Sequence, residues 1–123
     1  NLPESLHYTD EHVWVRMDGG EAVIGISDFA QDQLGEIAFV DLPAVGTRFE
    51  AGSDFGTVES LKSVNQLYMP IHGEVVAVNE ELESTPTLVN VSPYGEGWMI
   101  RIRPDASAQS LLDAAGYRAL LGL

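Results

Sequence analysis

Phe55-Gly56-Thr57-Val58-Glu59-Ser60-Leu61-Lys62-Ser63-Val64-Asn65-Gln66-Leu67-Tyr68-Met69-Pro70-Ile71-His72-Gly73 is the stretch from which the rest of the chain can be read. Two β-like runs, Phe55 to Ser60 and Val64 to Met69, flank Lys62, and Pro70 and Gly73 break the chain before a further strand over Glu74 to Val78. This layout sets the Lys62 amine at or near the tip of a hairpin, projecting from a rigid support. An amine so placed is accessible to a modifying enzyme and, once acylated, can sweep a long tether across several active sites. The bland alternative is a solvated turn lysine. Lys62 is the only lysine in the chain; the other basic residues are Arg16, Arg48, Arg101, Arg103 and Arg118.

Upstream of the hairpin, residues 12 to 17 alternate as a strand, Asp18-Gly19-Gly20 supplies a tight turn, and Ala22 to Ile26 is the partner strand. Ser27 then caps a short helix that runs through Leu34 and ends at Gly35, a residue that tolerates a left-handed backbone. Ile37 to Leu42 is another strand, stopped by Pro43, and Arg48 to Glu50 is a short one among Gly46, Gly52 and Gly56. Downstream, Glu80 to Pro86 reads as a polar, acidic loop. Trp98 to Arg103 alternates with period two, which puts Trp98, Ile100 and Ile102 on one face and Met99, Arg101 and Arg103 on the other. From about Gln109 to Leu121 the spacing of Leu112, Ala115, Ala119 and Leu120 predicts a helix. The expected fold is mainly β with α additions: an antiparallel sandwich or barrel with one short helix in the N-terminal half and one at the C-terminal end.

With 123 residues, 45% of them hydrophobic, the chain is expected to fold as one domain over residues 1–123 without a metal or disulfide. It has no Cys, which excludes disulfides, thiolate metal sites and cysteine nucleophiles. The formal charge of -13 repels phosphate backbones and anionic lipid, so neither nucleic acid nor a membrane is expected as a partner. No apolar run approaches the ~20 residues needed to span a bilayer. His7, His12 and His72 are too scattered to suggest a metal cluster. His7 and His12 have no nearby nucleophile to serve and read as structural, and His72 reads as a surface turn residue. Trp14, Trp98, Phe39 and Tyr94 are assigned to the core or to the walls of a cleft.

Val58-Glu-Ser-Leu-Lys-Ser-Val64, with a Gly turn upstream and Met-Pro-Ile-His-Gly at 69 to 73, resembles the attachment hairpin of the lipoyl and biotinyl carrier domains. Leu61 and Ser63 stand where biotin carriers usually place Met, which points to lipoate. His7-Tyr-Thr-Asp-Glu-His-Val-Trp-Val-Arg16, Ile24-Gly-Ile-Ser-Asp-Phe-Ala-Gln-Asp-Gln-Leu-Gly-Glu-Ile37, Phe39-Val-Asp-Leu-Pro43, Leu88-Val-Asn90 and Ser92-Pro-Tyr-Gly-Glu-Gly-Trp98 resemble, in order and spacing, the H-protein family of the glycine cleavage system. That resemblance runs over residues 6 to 121 and implies a lipoyl-domain-like fold.

It further implies a carrier with no catalysis of its own, bearing lipoic acid covalently on Lys62. Glu59, Leu61 and Ser63 become the surroundings of the attachment site, with Glu59 on the surface read by a lipoate-attaching enzyme. The implied partners are the glycine decarboxylase P protein, the aminomethyltransferase T protein, which receives the aminomethyl unit, and the dihydrolipoyl dehydrogenase L protein, which reoxidises the arm. The implied location is the cytoplasm in a bacterium or the mitochondrial matrix in a eukaryote, with no secretion. Two positions depart from the family's habit. Val13 and Gln66 stand where relatives usually carry acids. The departure keeps open a second reading, a paralogue acting as a lipoyl donor, relay or carrier outside glycine cleavage.

Overall fold

A computed structural model describes residues 6–104 and 114–122. The described residues are mostly β, in two antiparallel sheets with short helices, and no closed barrel forms among them. We number the strands β1 (His7–Tyr8), β2 (Val13–Asp18), β3 (Glu21–Ile26), β4 (Ile37–Asp41), β5 (Arg48–Phe49), β6 (Asp54–Ser60), β7 (Val64–Tyr68), β8 (Gly73–Val78) and β9 (Ile100–Pro104). The helices are α1 (Asp28–Leu34), α2 (Glu81–Ser84), α3 (Leu88–Val91) and α4 (Ala114–Leu121). One sheet has the order β1-β2-β3-β9-β8-β5 and the other β4-β6-β7.

The main core lies between the sheets. Val13, Val15, Ile24, Ile26, Ile100 and Ile102 of the larger sheet meet Ile37, Val40, Phe55, Val58 and Leu67 of the smaller one. The opposite face of the larger sheet carries a second cluster, in which Tyr8, Trp14 and Val23 pack with Ala114 and Tyr117 of α4. With cover on both faces, Val13, Trp14 and Val15 are buried in succession, where a half-buried strand would alternate. Trp14 lies opposite Gly25 in the β2–β3 pairing and fills the space a side chain there would need.

Several sequence expectations hold locally. Ser27 caps α1, its Oγ accepting the Ala30 N–H at 3.2 Å, and Gly35 ends the helix at φ 80. Other expectations are corrected. Glu80–Pro86 is not all loop, because α2 forms within it around buried Leu82. In Trp98–Arg103, Met99 is buried beside Ile100 and Ile102, and the strand proper starts at Ile100. Phe39 is 49% exposed, so it is not a core residue. The stretch expected as the start of the C-terminal helix, with Leu112, lies outside the described residues. Over the described part the burial phase differs: α4 buries Ala114 and Tyr117, while Ala115, Ala119 and Leu120 face outward. The stacked ring of Tyr117 on Tyr8, with centroids 4.7 Å apart, decides that phase.

Candidate functional site

β6 and β7 form the hairpin anticipated from the sequence, with Glu59 opposite Val64 and Leu61-Lys62 at its tip. The Ser60 N–H donates to the Ser63 carbonyl at 2.8 Å and closes the turn. The Ser60 Oγ accepts the N–H groups of Lys62 and Ser63 at 3.2 and 3.1 Å, so a side chain satisfies donors that a tight turn leaves unpaired. Leu61, Lys62 and Ser63 are exposed, Leu61 to 77%, and Glu59 is half-buried on β6. Lys62 forms no ion pair among the described residues.

The tip is tethered to the body of the fold. Leu61 N–H donates to the Glu36 carbonyl at 3.3 Å, at the corner between α1 and β4. Asn90, on α3, holds that corner: its Oδ1 accepts the Ile37 N–H at 2.8 Å, and its Nδ2 donates to the Gly35 carbonyl at 2.8 Å and to Gln31 Oε1 at 2.9 Å. The Lys62 stem rests over Gly35, where an added Cβ would lie 3.6 Å from the lysine Cε. The amine is therefore presented along the end of α1 rather than on a free loop.

Beside it a cleft of about 550 Å³ runs between α1 and β7. Its walls combine apolar Ile26, Leu34, Val58 and Leu67 with Gln33, Asn65 and Gln66, and Glu11, His12, Phe29 and Tyr68 also line it. Val64 to Tyr68 gives the cleft about 13 Å of strand at ~3.3 Å per residue, starting next to the lysine turn. Val13 is not part of this wall, being buried in the core between the sheets. Glu11, two residues earlier, supplies a carboxylate. Gln66, with its amide nitrogen turned toward exposed Asp54, donates to both of that carboxylate's oxygens at 2.6 and 3.1 Å.

His12 has a left-handed backbone, φ 70, unusual for any residue with a Cβ. Its Nδ1 lies 2.6 Å from the Tyr117 hydroxyl, which lies 2.8 Å from Ser27 Oγ. Its ring also contacts Phe29 at 5.1 Å between centroids. Burial holds the imidazole below its ordinary value against the opposing pull of Glu11 and Asp10. Tyr117 is pushed up to about 12 by burial.

Charge is shared unevenly between the two sheets. Arg16, Arg48, Arg101 and Arg103 lie on the larger sheet, and Arg118 on α4. Arg101 pairs with Asp18 and Glu21, and Glu74 with Arg103 and Arg48. Around the smaller sheet and α1 stand Asp28, Asp32, Glu36, Asp41, Asp54 and Glu59, with Lys62 the only base among them. His72 lies away from this site, where its Nδ1 accepts the Ala51 N–H at 3.0 Å and fixes a turn. Sequence reading did not find the cleft itself, the Asn90 clamp or the place of Glu11, since each depends on residues brought together from separate elements.

The glycine cleavage H-protein family model matches residues 6–122. The glycine cleavage system H protein of Bacteroides thetaiotaomicron is 52% identical over 123 residues, covering 98% of each chain. That of Nitratidesulfovibrio vulgaris is 52% identical over 121 residues, covering 98% of this chain and 95% of its own. Among solved structures, the crystal structure of a glycine cleavage system H protein from Mycobacterium marinum superposes with a TM-score of 0.93 at 36% identity, covering 99% of this chain and 100% of that one.

Proposed function

The chain belongs to the glycine cleavage H-protein family, and from that premise we propose that Lys62 is the residue that carries lipoate. The function is that of a non-catalytic lipoyl carrier in glycine cleavage. The observation that carries the assignment of Lys62 is its position: a lone exposed amine at a side-chain-braced hairpin tip, with its stem on Gly35 and the α1–β7 cleft alongside.

The residues present fit such a group. When bound, lipoate supplies a disulfide that takes up an aminomethyl unit and is later regenerated. Everything else asked of the protein is presentation and protection. Ser60 and the Leu61–Glu36 bond hold the attachment point still, so a modifying enzyme meets one backbone geometry. Ile26, Leu34, Val58 and Leu67 offer the arm's methylenes an apolar wall, and Glu11 offers a protonated amine a carboxylate. Gln66 also lines the cleft, but its amide is engaged by Asp54, an exposed carboxylate that is not part of the lining. Glu11 thus brings a carboxylate to the cleft although Val13 and Gln66 carry none, which weakens the feature that favoured the relay reading.

We infer the same partners for this chain as for the reaction it serves: a lipoate-attaching enzyme that reads Glu59, Leu61 and Ser63 around Lys62, the glycine decarboxylase, the aminomethyltransferase and dihydrolipoyl dehydrogenase. Short-lived encounters with several enzymes suit an acidic surface that speeds association without large buried contacts. No helix among the described residues is long and apolar enough to cross a membrane. In a bacterium, the carrier would work in the cytoplasm as one unit over residues 1–123.

Intact-mass measurement after incubation with a lipoate ligase tests the assignment. One lipoyl adduct is expected on the native chain and none on Lys62→Arg. Modification of the arginine variant, or a native chain left unmodified by a competent ligase, overturns it.

A further inference from the structure

The His12 imidazole lines the cleft and belongs to a buried chain of hydrogen bonds whose direction can be worked out by counting donors. Ser27 Oγ is fully buried and already accepts the Ala30 N–H. Its own proton needs an acceptor, and among the described residues the Tyr117 oxygen is the only one recorded for it. Tyr117 then has its O–H free to donate, and His12 Nδ1, 2.6 Å away, is the acceptor. Run the other way, with Nδ1–H donating to Tyr117 and Tyr117 donating to Ser27, the chain would leave the buried Ser27 proton without a partner. The imidazole is therefore neutral, with its proton on Nε2. Protonating Nδ1 would set N–H against O–H and force the Tyr117 hydroxyl to swing its proton toward Ser27, leaving the buried Ser27 proton unpartnered at the cap of α1.

We propose that His12 is a positioning residue of the cleft, held neutral by the Ser27–Tyr117 relay so that the cleft can hold a cationic group on the arm, and that its protonation expels that group. This rests on the carrier reading of Lys62. A cation at His12 would repel a protonated amine and would compete for Glu11, the adjoining carboxylate of the cleft. Other ionisable groups facing the ring are Asp10 on its own loop, Tyr117 from α4 with Tyr8 stacked behind it, and Tyr68 from the β7 wall; α1 presents uncharged Phe29, Ala30 and Gln33. Asp10 and Glu11 favour the imidazolium, while burial opposes it and prevails. The left-handed backbone of His12 is maintained by its surroundings: its N–H donates to Thr9 at 3.1 Å and its carbonyl accepts from Ser27 at 2.9 Å.

Two measurements test the proposal. The first needs no arm: ¹⁵N NMR of the unmodified protein, with His12 assigned by its loss in His12→Asn, a residue that tolerates a left-handed backbone. At neutral pH the proton is expected on Nε2, and Tyr117→Phe is expected to move the His12 titration to higher pH. A proton on Nδ1, or a titration unmoved in Tyr117→Phe, overturns the relay. The second follows loss of the aminomethyl cargo from lipoylated protein by mass spectrometry across pH. Retention is expected to fall about tenfold in one step below the usual imidazole value of about 6.5, and the step should be absent in His12→Asn and shifted upward in Tyr117→Phe. A loaded native protein with a flat profile overturns the proposal alone. A Lys62 that accepts no lipoyl group overturns the carrier reading, and the cargo role with it.

Discussion

The backbone N–H of Leu61 donates to the carbonyl of Glu36 at 3.3 Å, which ties the tip of the hairpin to the corner between α1 and β4. That corner is held in turn by Asn90, which makes hydrogen bonds to Gln31, Gly35 and Ile37.

Asn90→Ala should therefore weaken more than α3. It leaves the Ile37 N–H and the Gly35 carbonyl without their partner, a loss of about 1–3 kcal/mol visible as a lower urea midpoint at unchanged slope. Lipoate attachment should slow as well, because the support of the turn is loosened. Normal attachment kinetics in a destabilised variant would show that the corner does not position Lys62.

Gly25→Ala should be costly for a different reason. An added Cβ would stand 2.8 Å from the Trp14 indole, which is buried and fixed by its Nε1–H donating to the Pro93 carbonyl at 2.9 Å. Overpacking of this kind costs about 1–3 kcal/mol. The near-ultraviolet circular dichroism of Trp14 should change with it; an unchanged spectrum and melting temperature would count against the tight fit.

Glu11→Gln should shorten the lifetime of a cationic cargo on the arm. A charge-assisted hydrogen bond shielded from water is worth about 1.5–3 kcal/mol, which corresponds to roughly ten- to a hundredfold in retention. Glu11 is exposed, so solvent screening brings the expected change down to about a few-fold. Glu83→Gln, on α2 away from the cleft, serves as the control.

Stability should depend on His12. Its folded value is lowered, so below about pH 6.5 the unfolded chain binds a proton that the folded chain resists. The contribution of the neutral ring is thus intact above about pH 6.5 and declines as pH falls below it. Urea midpoints at paired pH values should show this decline in the native protein and lose it in His12→Asn.

Salt should slow every encounter made through the hairpin end. Glu36 and Glu59 stand beside the lysine turn, and raising ionic strength toward 1 M shortens the screening length to about 3 Å. Attachment kinetics should show the effect in KM far more than in kcat. Salt-independent KM would rule out steering by this face.

Local signals made the hairpin, the Ser27 cap and the Gly35 stop legible, because each is written in neighbouring residues. Strand β1 and helix α3 were not, since two or four residues are too few to show a period. The phase of α4 escaped for another reason: apolar spacing favoured its Ala and Leu positions, but the aromatic stack with Tyr8 turned Tyr117 inward. The candidate lysine could be found by motif. Its cleft could not, because α1, β7 and the loop at Glu11 and His12 meet only in three dimensions.

The uneven sharing of charge between the sheets has a kinetic corollary. The arginines of the larger sheet are offset by Asp18, Glu21 and Glu74, whereas the smaller sheet and α1 carry six carboxylates against one lysine, and this imbalance gives the molecule an electric moment. A protein tumbling near a basic surface experiences a torque as well as an attraction, and this one would be turned with its hairpin leading before first touch. Much of the orientational search that slows docking between specific patches is then completed in solution. For a shuttle that visits several active sites in turn, arriving lysine-first shortens each stop.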